Sequence, residues 1–114
     1  QMASMRMMQS VPEADMLITT PTHYAISLKY DESMADAPMV LAKGKDLIAK
    51  KTRALGQEHG VELVDNKPVA RALYVYCDVG DKIPEDMFQA VAEILAYVYR
   101  RREETGGAAS RRRA

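Results

Sequence analysis

Residues 19 to 24 read TTPTHY and follow the short apolar run MLI. Two threonine hydroxyls, a proline and an imidazole meet at the end of a stretch that reads as a strand. Proline removes a ladder donor and pushes the residue before it into extended geometry, so Thr20-Pro21 is a strand end or a turn. The other reactive residues form no constellation. His23 and His59 are the only histidines, and with Cys77, the single cysteine, they offer at most three zinc ligands without recognisable spacing. Two unrelated polar histidines are the simpler account, so no metal or cofactor is expected. Cys77 falls at a helix end and is expected as a small buried hydrophobe. Ser27 and Ser33 lack nucleophile-elbow surroundings, and AKGKD (42–46) lacks the glycine spacing of a phosphate-binding loop. Lys43, Lys45, Lys50, Lys51 and Arg53 are expected on a solvated helix face. No constellation for turnover catalysis emerges.

The elements that position TTPTHY follow from periodicity. Residues 15 to 19 (DMLIT) read as a short buried strand. YAISLKYD (24–31) alternates, with Tyr24, Ile26, Leu28 and Tyr30 on one face and Ala25, Ser27 and Lys29 on the other. DESMADAP (31–38) is a loop, and MVLAK (39–43) is a third strand that Gly44 is expected to break. From Lys45 to His59 the pattern is helical, with Leu47, Ile48 and Leu55 inward, and Gly60 stands where a left-handed cap is wanted. VELV (61–64) is a fourth strand. Asp65 or Asn66 then caps a helix carrying Pro68 in its first turn and Val69, Leu73 and Tyr76 on its apolar face. Pro84 opens the last helix. Its buried stripe is Phe88, Val91, Leu95 and Val98, widened by Met87 and Ile94, and Glu85, Asp86 and Arg100–Arg102 complement its dipole.

The expected fold is α/β, a single small domain with a roughly four-stranded sheet packed by three or four helices. Residues 1–13 form a linker or lead-in helix, 14–101 the folded domain, and 102–114 a disordered basic tail. The chain starts at Gln1 and continues MASM, which reads as part of a longer protein or a trimmed product. Across 114 residues, 47% hydrophobic and 28% charged, sixteen bases balance sixteen acids. That neutrality gives no overall argument for nucleic acid or membrane. No apolar run approaches the ~18 residues that span a bilayer. One cysteine excludes an internal disulfide and fits a reducing compartment. Two rivals from other classes are a basic-tailed nucleic-acid or membrane-surface binder, relying on Arg111–Arg113, and a self-processing peptidase-like domain that uses Thr20 by another route.

Several blocks carry a family resemblance in order and spacing: THYAISLKYD (22–31), AP (37–38), AKG (42–44), VARALY (69–74) and IPEDMFQAVAEILAYVY (83–99). From about Met7 to Arg101 the chain resembles the cytoplasmic domain of the FlhB/YscU family of type III secretion export-apparatus switch proteins, and its flagellar branch in particular. The family signature is Asn-Pro-Thr-His, at which the chain cuts itself between Asn and Pro. Pro21, Thr22 and His23 match it, and Thr20 stands where the Asn belongs. An Asn amide attacking its own carbonyl closes a five-membered succinimide. A Thr20 hydroxyl would need a strained four-membered ring, or would act on the Thr19–Thr20 bond instead. The resemblance therefore implies a domain that stays intact at Thr20–Pro21, and the close match of its surroundings favours a deliberate change at Thr20 over natural divergence. It also implies the cytoplasmic face of the bacterial inner membrane as location, with the membrane reached only through an N-terminal part outside this chain. Export substrates, a hook-length-control protein and other export-apparatus proteins are the implied partners, and the implied role is a switch from rod and hook to filament substrates. A small apolar docking patch is implied at Ala37, Pro38, Ala92 and Leu95, although Leu95 is equally well explained as core. Val69–Tyr74 reads as packing.

Overall fold

The computed structural model describes residues 2–31 and 36–105. Helix α1 (Met2–Gln9) and a 3₁₀ turn (Val11–Glu13) lead into strand β1 (Met16–Thr19). Strands β2 (Tyr24–Lys29) and β3 (Met39–Lys45) follow, then α2 (Leu47–Glu58), β4 (Glu62–Asp65), α3 (Lys67–Tyr76), a second 3₁₀ turn (Glu85–Met87) and α4 (Phe88–Thr105). The sheet order is β3-β2-β1-β4. β1 pairs antiparallel with β2 and parallel with β4, so the sheet is mixed. The expected α/β domain of four strands is what forms, with four α-helices around one sheet.

Side-chain alternation divides the core in two. Met16, Ile18, Ile26, Leu28 and Val40 point to one face, where Ala70 and Leu73 of α3 and Val91, Leu95 and Val98 of α4 cover them. Leu17 and Ala42 point to the other, against Val11, Ala14 and Val61, with Met7, Met8 and Leu55 of α1 and α2 packed alongside. Being central and covered on both faces, β1 is buried at all four positions. That two-sided burial explains why MLI reads as an unbroken apolar run.

Several expectations change. β3 does not break at Gly44 but continues to Lys45, with Gly44 opposite Ala25. Glycine is required there by proximity: a Cβ at Gly44 would lie 2.5 Å from Ile48 Cγ2 and 3.0 Å from the backbone N of Ala49. α2 accordingly begins at Leu47, later than expected, and Leu47 is 62% exposed. Its buried face is Ala49, Thr52 and Gly56, with Ile48 and Leu55 half-buried beside it. Small residues occupy the line of closest approach to the sheet, and the larger apolar ones flank it. α3 shows the same offset, because Ala70, Leu73 and Cys77 face inward and Tyr76 is 75% exposed. Phe88 stands at the exposed start of α4, while Val91, Ile94, Leu95 and Val98 form its buried stripe.

The turn chemistry agrees with expectation. Asn66 caps α3 by accepting from Val69 N at 3.1 Å, ahead of Pro68 in the first turn, and Gly60 has φ +74°. Cys77 is buried at the C-terminal end of α3. α4 runs past 101 to Thr105, and its end is tied down: Arg101 Nε donates to Glu62 Oε2 at 2.9 Å, and Arg102 Nη2 donates to the Asp15 carbonyl at 2.8 Å. Ser33 and Arg111–Arg113 lie outside the described residues.

Candidate functional site

The C-terminal ends of β1, β3 and β4 and the start of β2 lie at the same end of the sheet's strands, and residues 20 to 23 turn the chain there. Thr20 N donates to the Tyr24 carbonyl at 2.9 Å. The Thr20 hydroxyl accepts two backbone donors, His23 N at 3.0 Å and Tyr24 N at 2.8 Å. One side chain thus satisfies the amides that the turn would otherwise leave unpaired. It is also 5% exposed, while Pro21, Thr22 and His23 stand in solvent. Upstream, the Thr19 carbonyl accepts from Asn66 N at 3.0 Å, and the Thr19 hydroxyl donates to Asp65 Oδ1 at 2.5 Å. The Thr20–Pro21 bond therefore joins a buried, hydrogen-bonded residue to an exposed proline.

The far side of the turn is held by Asp46. Its N donates to the His23 carbonyl at 2.7 Å, and its carboxylate lies 3.4 Å from His23 Nδ1. Asp46 has φ 53°, the one non-glycine residue with positive φ among those described, a conformation that L-residues seldom adopt. Tyr24 stacks on Tyr74 with centroids 4.6 Å apart, and Lys43 Nζ lies 4.9 Å from the Tyr74 ring while donating to the Tyr74 carbonyl. Arg53 Nη1 reaches the Thr20 carbonyl at 3.5 Å. The five bases expected on one solvated face are thus divided: Lys43, carried into the sheet by β3, is half-buried with partners on Tyr74 and Asp78, and Arg53, also half-buried, reaches the turn at Thr20.

Above the turn is a hollow of about 540 Å³. Its walls are Lys45, from the end of β3, and Lys67 and Arg71, from the first turns of α3. Sequence reasoning missed the last two. The signal available was a pair of bases four residues apart on a helix whose first turn holds no acid.

The implied docking residues also come together. Ala37, Pro38, Ala92 and Leu95 line a second hollow of about 200 Å³ between the loop before β3 and the first half of α4, with Phe88 at its side. Ala37 and Leu95 are buried and form its floor, so Leu95 belongs both to the core and to this wall. The loop is held by a 3.0 Å ion pair from Lys82 to Asp36, which keeps the Asp36 carboxyl below its usual range through that hydrogen bond and charge. His23, His59 and Cys77 do not converge, and among the described residues no group of three or more His, Cys, Asp or Glu is placed to hold a metal. No helix among them is long and apolar enough to cross a membrane.

The chain is similar to known proteins in both sequence and fold. A family model described as the FlhB HrpN YscU SpaS family matches residues 1–98. The flagellar biosynthetic protein FlhB of Bacillus subtilis is 53% identical over 104 residues, covering 91% of this chain and 29% of that protein. FlhB of Salmonella typhimurium is 48% identical over 97 residues, covering 85% of this chain and 25% of that protein. The chain therefore spans less than a third of either relative. The crystal structure of the cytoplasmic domain of FlhB from Shewanella putrefaciens superposes with a TM-score of 0.85 at 41% identity, covering 90% of this chain and 80% of that one. A mutated EscU C-terminal domain aligns with a TM-score of 0.77 at 28% identity, covering 81% of this chain and 92% of that one.

Proposed function

The chain belongs to the FlhB/HrpN/YscU/SpaS family, and on that premise we propose that it is the cytoplasmic switch domain of a flagellar type III export apparatus, fixed in its uncleaved state. In this reading it works at the cytoplasmic face of the bacterial inner membrane. There it docks export substrates and takes part in the change from rod and hook to filament cargo, under the control of a hook-length-control protein and alongside other export-apparatus proteins. It is a binding and switching module, not a turnover enzyme. Ala37, Pro38, Ala92 and Leu95 are the docking residues, a role supported by their meeting around one small apolar hollow.

The observation that carries the uncleaved state is the engagement of the Thr20 hydroxyl. It accepts from His23 N and Tyr24 N, downstream of its own carbonyl. From that position the reaction that would release Pro21 still requires a four-membered ring. The alternative, a five-membered ring on the Thr19 carbonyl, would require an oxygen already committed to the turn and a carbonyl already bonded to Asn66 N. An Asn at position 20 would supply an acceptor oxygen for the turn together with a separate amide nitrogen for attack. Threonine offers one oxygen for both tasks.

Intact mass under denaturing conditions tests this, with the chain beside its Thr20→Asn form. One species at 12.7 kDa is expected for the chain, and two pieces divided at Pro21 for Thr20→Asn. Spontaneous division of the unaltered chain at Thr20–Pro21 would refute the ring-size argument. Two intact chains would remove self-processing from the reading.

A further inference from the structure

The hollow over the turn is walled by cations from two separate elements. Lys45 comes from the end of β3, and Lys67 and Arg71 come from one face of α3. All three are exposed. Among the described residues none of them has a carboxylate within ion-pairing distance, whereas Lys43, Lys82, Arg101 and Arg102 each have one. The acids nearest in sequence turn to other groups: Asp46 faces His23, and Asp65 accepts from Thr19. In a chain of zero formal charge, three cations around one hollow whose lining includes no carboxylate are a local concentration of positive charge. The floor contributes different chemistry, namely the Tyr24 ring and the Pro21 face.

We infer that this hollow is a docking site for an acidic peptide segment of a partner protein. Its cations would pair with Asp or Glu side chains, and an apolar side chain between them would lie on Pro21 and Tyr24. Charge complementarity selects an anion. The size of the hollow and its mixed floor select a peptide over a lone inorganic ion, which would leave most of the space empty. Nucleic acid is disfavoured because the three cations are gathered around one hollow and do not form an extended track for a phosphate backbone. This site is separate from the Ala37–Leu95 hollow and is inferred from its own charges. It does not rest on whether the chain cuts itself, so the mass experiment and the experiment below can fail independently.

The test is a titration of the full chain, labelled for amide spectra, with a hexaglutamate peptide carrying one central leucine. The expected result is saturable shifts at Thr22, His23, Tyr24, Lys45 and Arg71, weakening as salt rises through the Debye range. Double reversal, Lys67→Glu with Arg71→Glu, should weaken binding by at least about tenfold, while Lys51→Glu on the exposed face of α2 should leave it nearly unchanged. A thermal melt confirms that the double variant folds. Should it not fold, Lys67→Gln with Arg71→Gln removes the same charges, and the same direction is expected. Absence of shifts at the turn, or an equal effect of Lys51→Glu, would overturn the proposal. So would equal saturation by inorganic phosphate, or tighter binding of a single-stranded oligonucleotide of equal charge.

Discussion

Replacing Thr20 by valine removes one oxygen and almost no volume, so it isolates what the hydroxyl does at the turn. Valine keeps the β-branch that suits the extended residue before a proline. The loss is two accepted bonds, from His23 N at 3.0 Å and Tyr24 N at 2.8 Å. His23 is exposed and its amide regains water, at a net loss of about 0.5–1 kcal/mol. Tyr24 is half-buried under the stacked Tyr74 ring, and its unpaired amide costs more, about 1–2 kcal/mol. The sum is about 1.5–3 kcal/mol, which for a domain of this size lowers the midpoint of thermal unfolding by roughly 5–15 °C. Thermal and urea unfolding measure the total. Amide exchange locates it, since His23 and Tyr24 should exchange faster in Thr20→Val while Ile26, inside the ladder, is unaffected below global unfolding. A variant within about 0.5 kcal/mol of the parent, the scale of an ordinary surface change, would mean that the hydroxyl is not holding the turn. In that case its commitment could not be used to explain an intact Thr20–Pro21 bond.

Gly44→Ala should destabilise by about 1–3 kcal/mol or more, read by urea unfolding, because its new methyl would meet Ile48 and the α2 backbone at 2.5–3.0 Å. Arg102→Ala should cost about 1–3 kcal/mol and fray the last turn of α4 in amide exchange. It removes the donor to the Asp15 carbonyl and leaves the largely buried Asp15 carboxylate without its cation. Burial, seconded by Asp81, raises the Cys77 thiol above its ordinary 9.0, so alkylation by iodoacetamide at pH 8 should be slow in the folded chain and fast in urea. The folded state holds this proton more tightly than the unfolded one, so the contribution is fully present below pH 9 and declines as pH rises through the folded value. Finally, Ala92→Glu on the exposed wall of the smaller hollow should leave thermal stability within about 0.5 kcal/mol and, under the docking role proposed for that hollow, abolish binding of an apolar export-substrate segment, measured by calorimetry.

Period and punctuation revealed the elements. Alternation marks β2, the unbroken MLI run marks a strand covered on both faces, and Asn66, Pro68 and Gly60 mark helix ends through bonds and dihedrals confined to their own neighbours. Residues whose role depends on a distant element were misread. Gly44 looks like a breaker until α2 is placed against it. Leu47 and Tyr76 look inward because they are apolar, yet the helices meet the sheet along Ala49–Thr52–Gly56 and Ala70–Leu73–Cys77. The sheet order is likewise set by α2 crossing from one edge to the other, which no local pattern encodes. At the site, the turn and the four residues of the smaller hollow could be named from motif matches. The meeting of Lys45 with Lys67 and Arg71 could not, since it depends on β3 ending and α3 beginning at the same end of the strands.

The position of β1 has one more consequence. It lies between β2 and β4, hydrogen-bonded to both, with Met16, Leu17 and Ile18 fully enclosed. Scission after residue 20 would therefore not shed the upstream piece. It would turn one polypeptide into an obligate two-chain complex whose upstream partner contributes the central plank of a shared sheet, held by two ladders and both halves of the core. Such fragments, made separately and mixed, should reassemble into the native domain, and their exchange would be as slow as unfolding itself. Any signal carried by cutting this turn must then be written in the freed ends and not in the departure of a fragment.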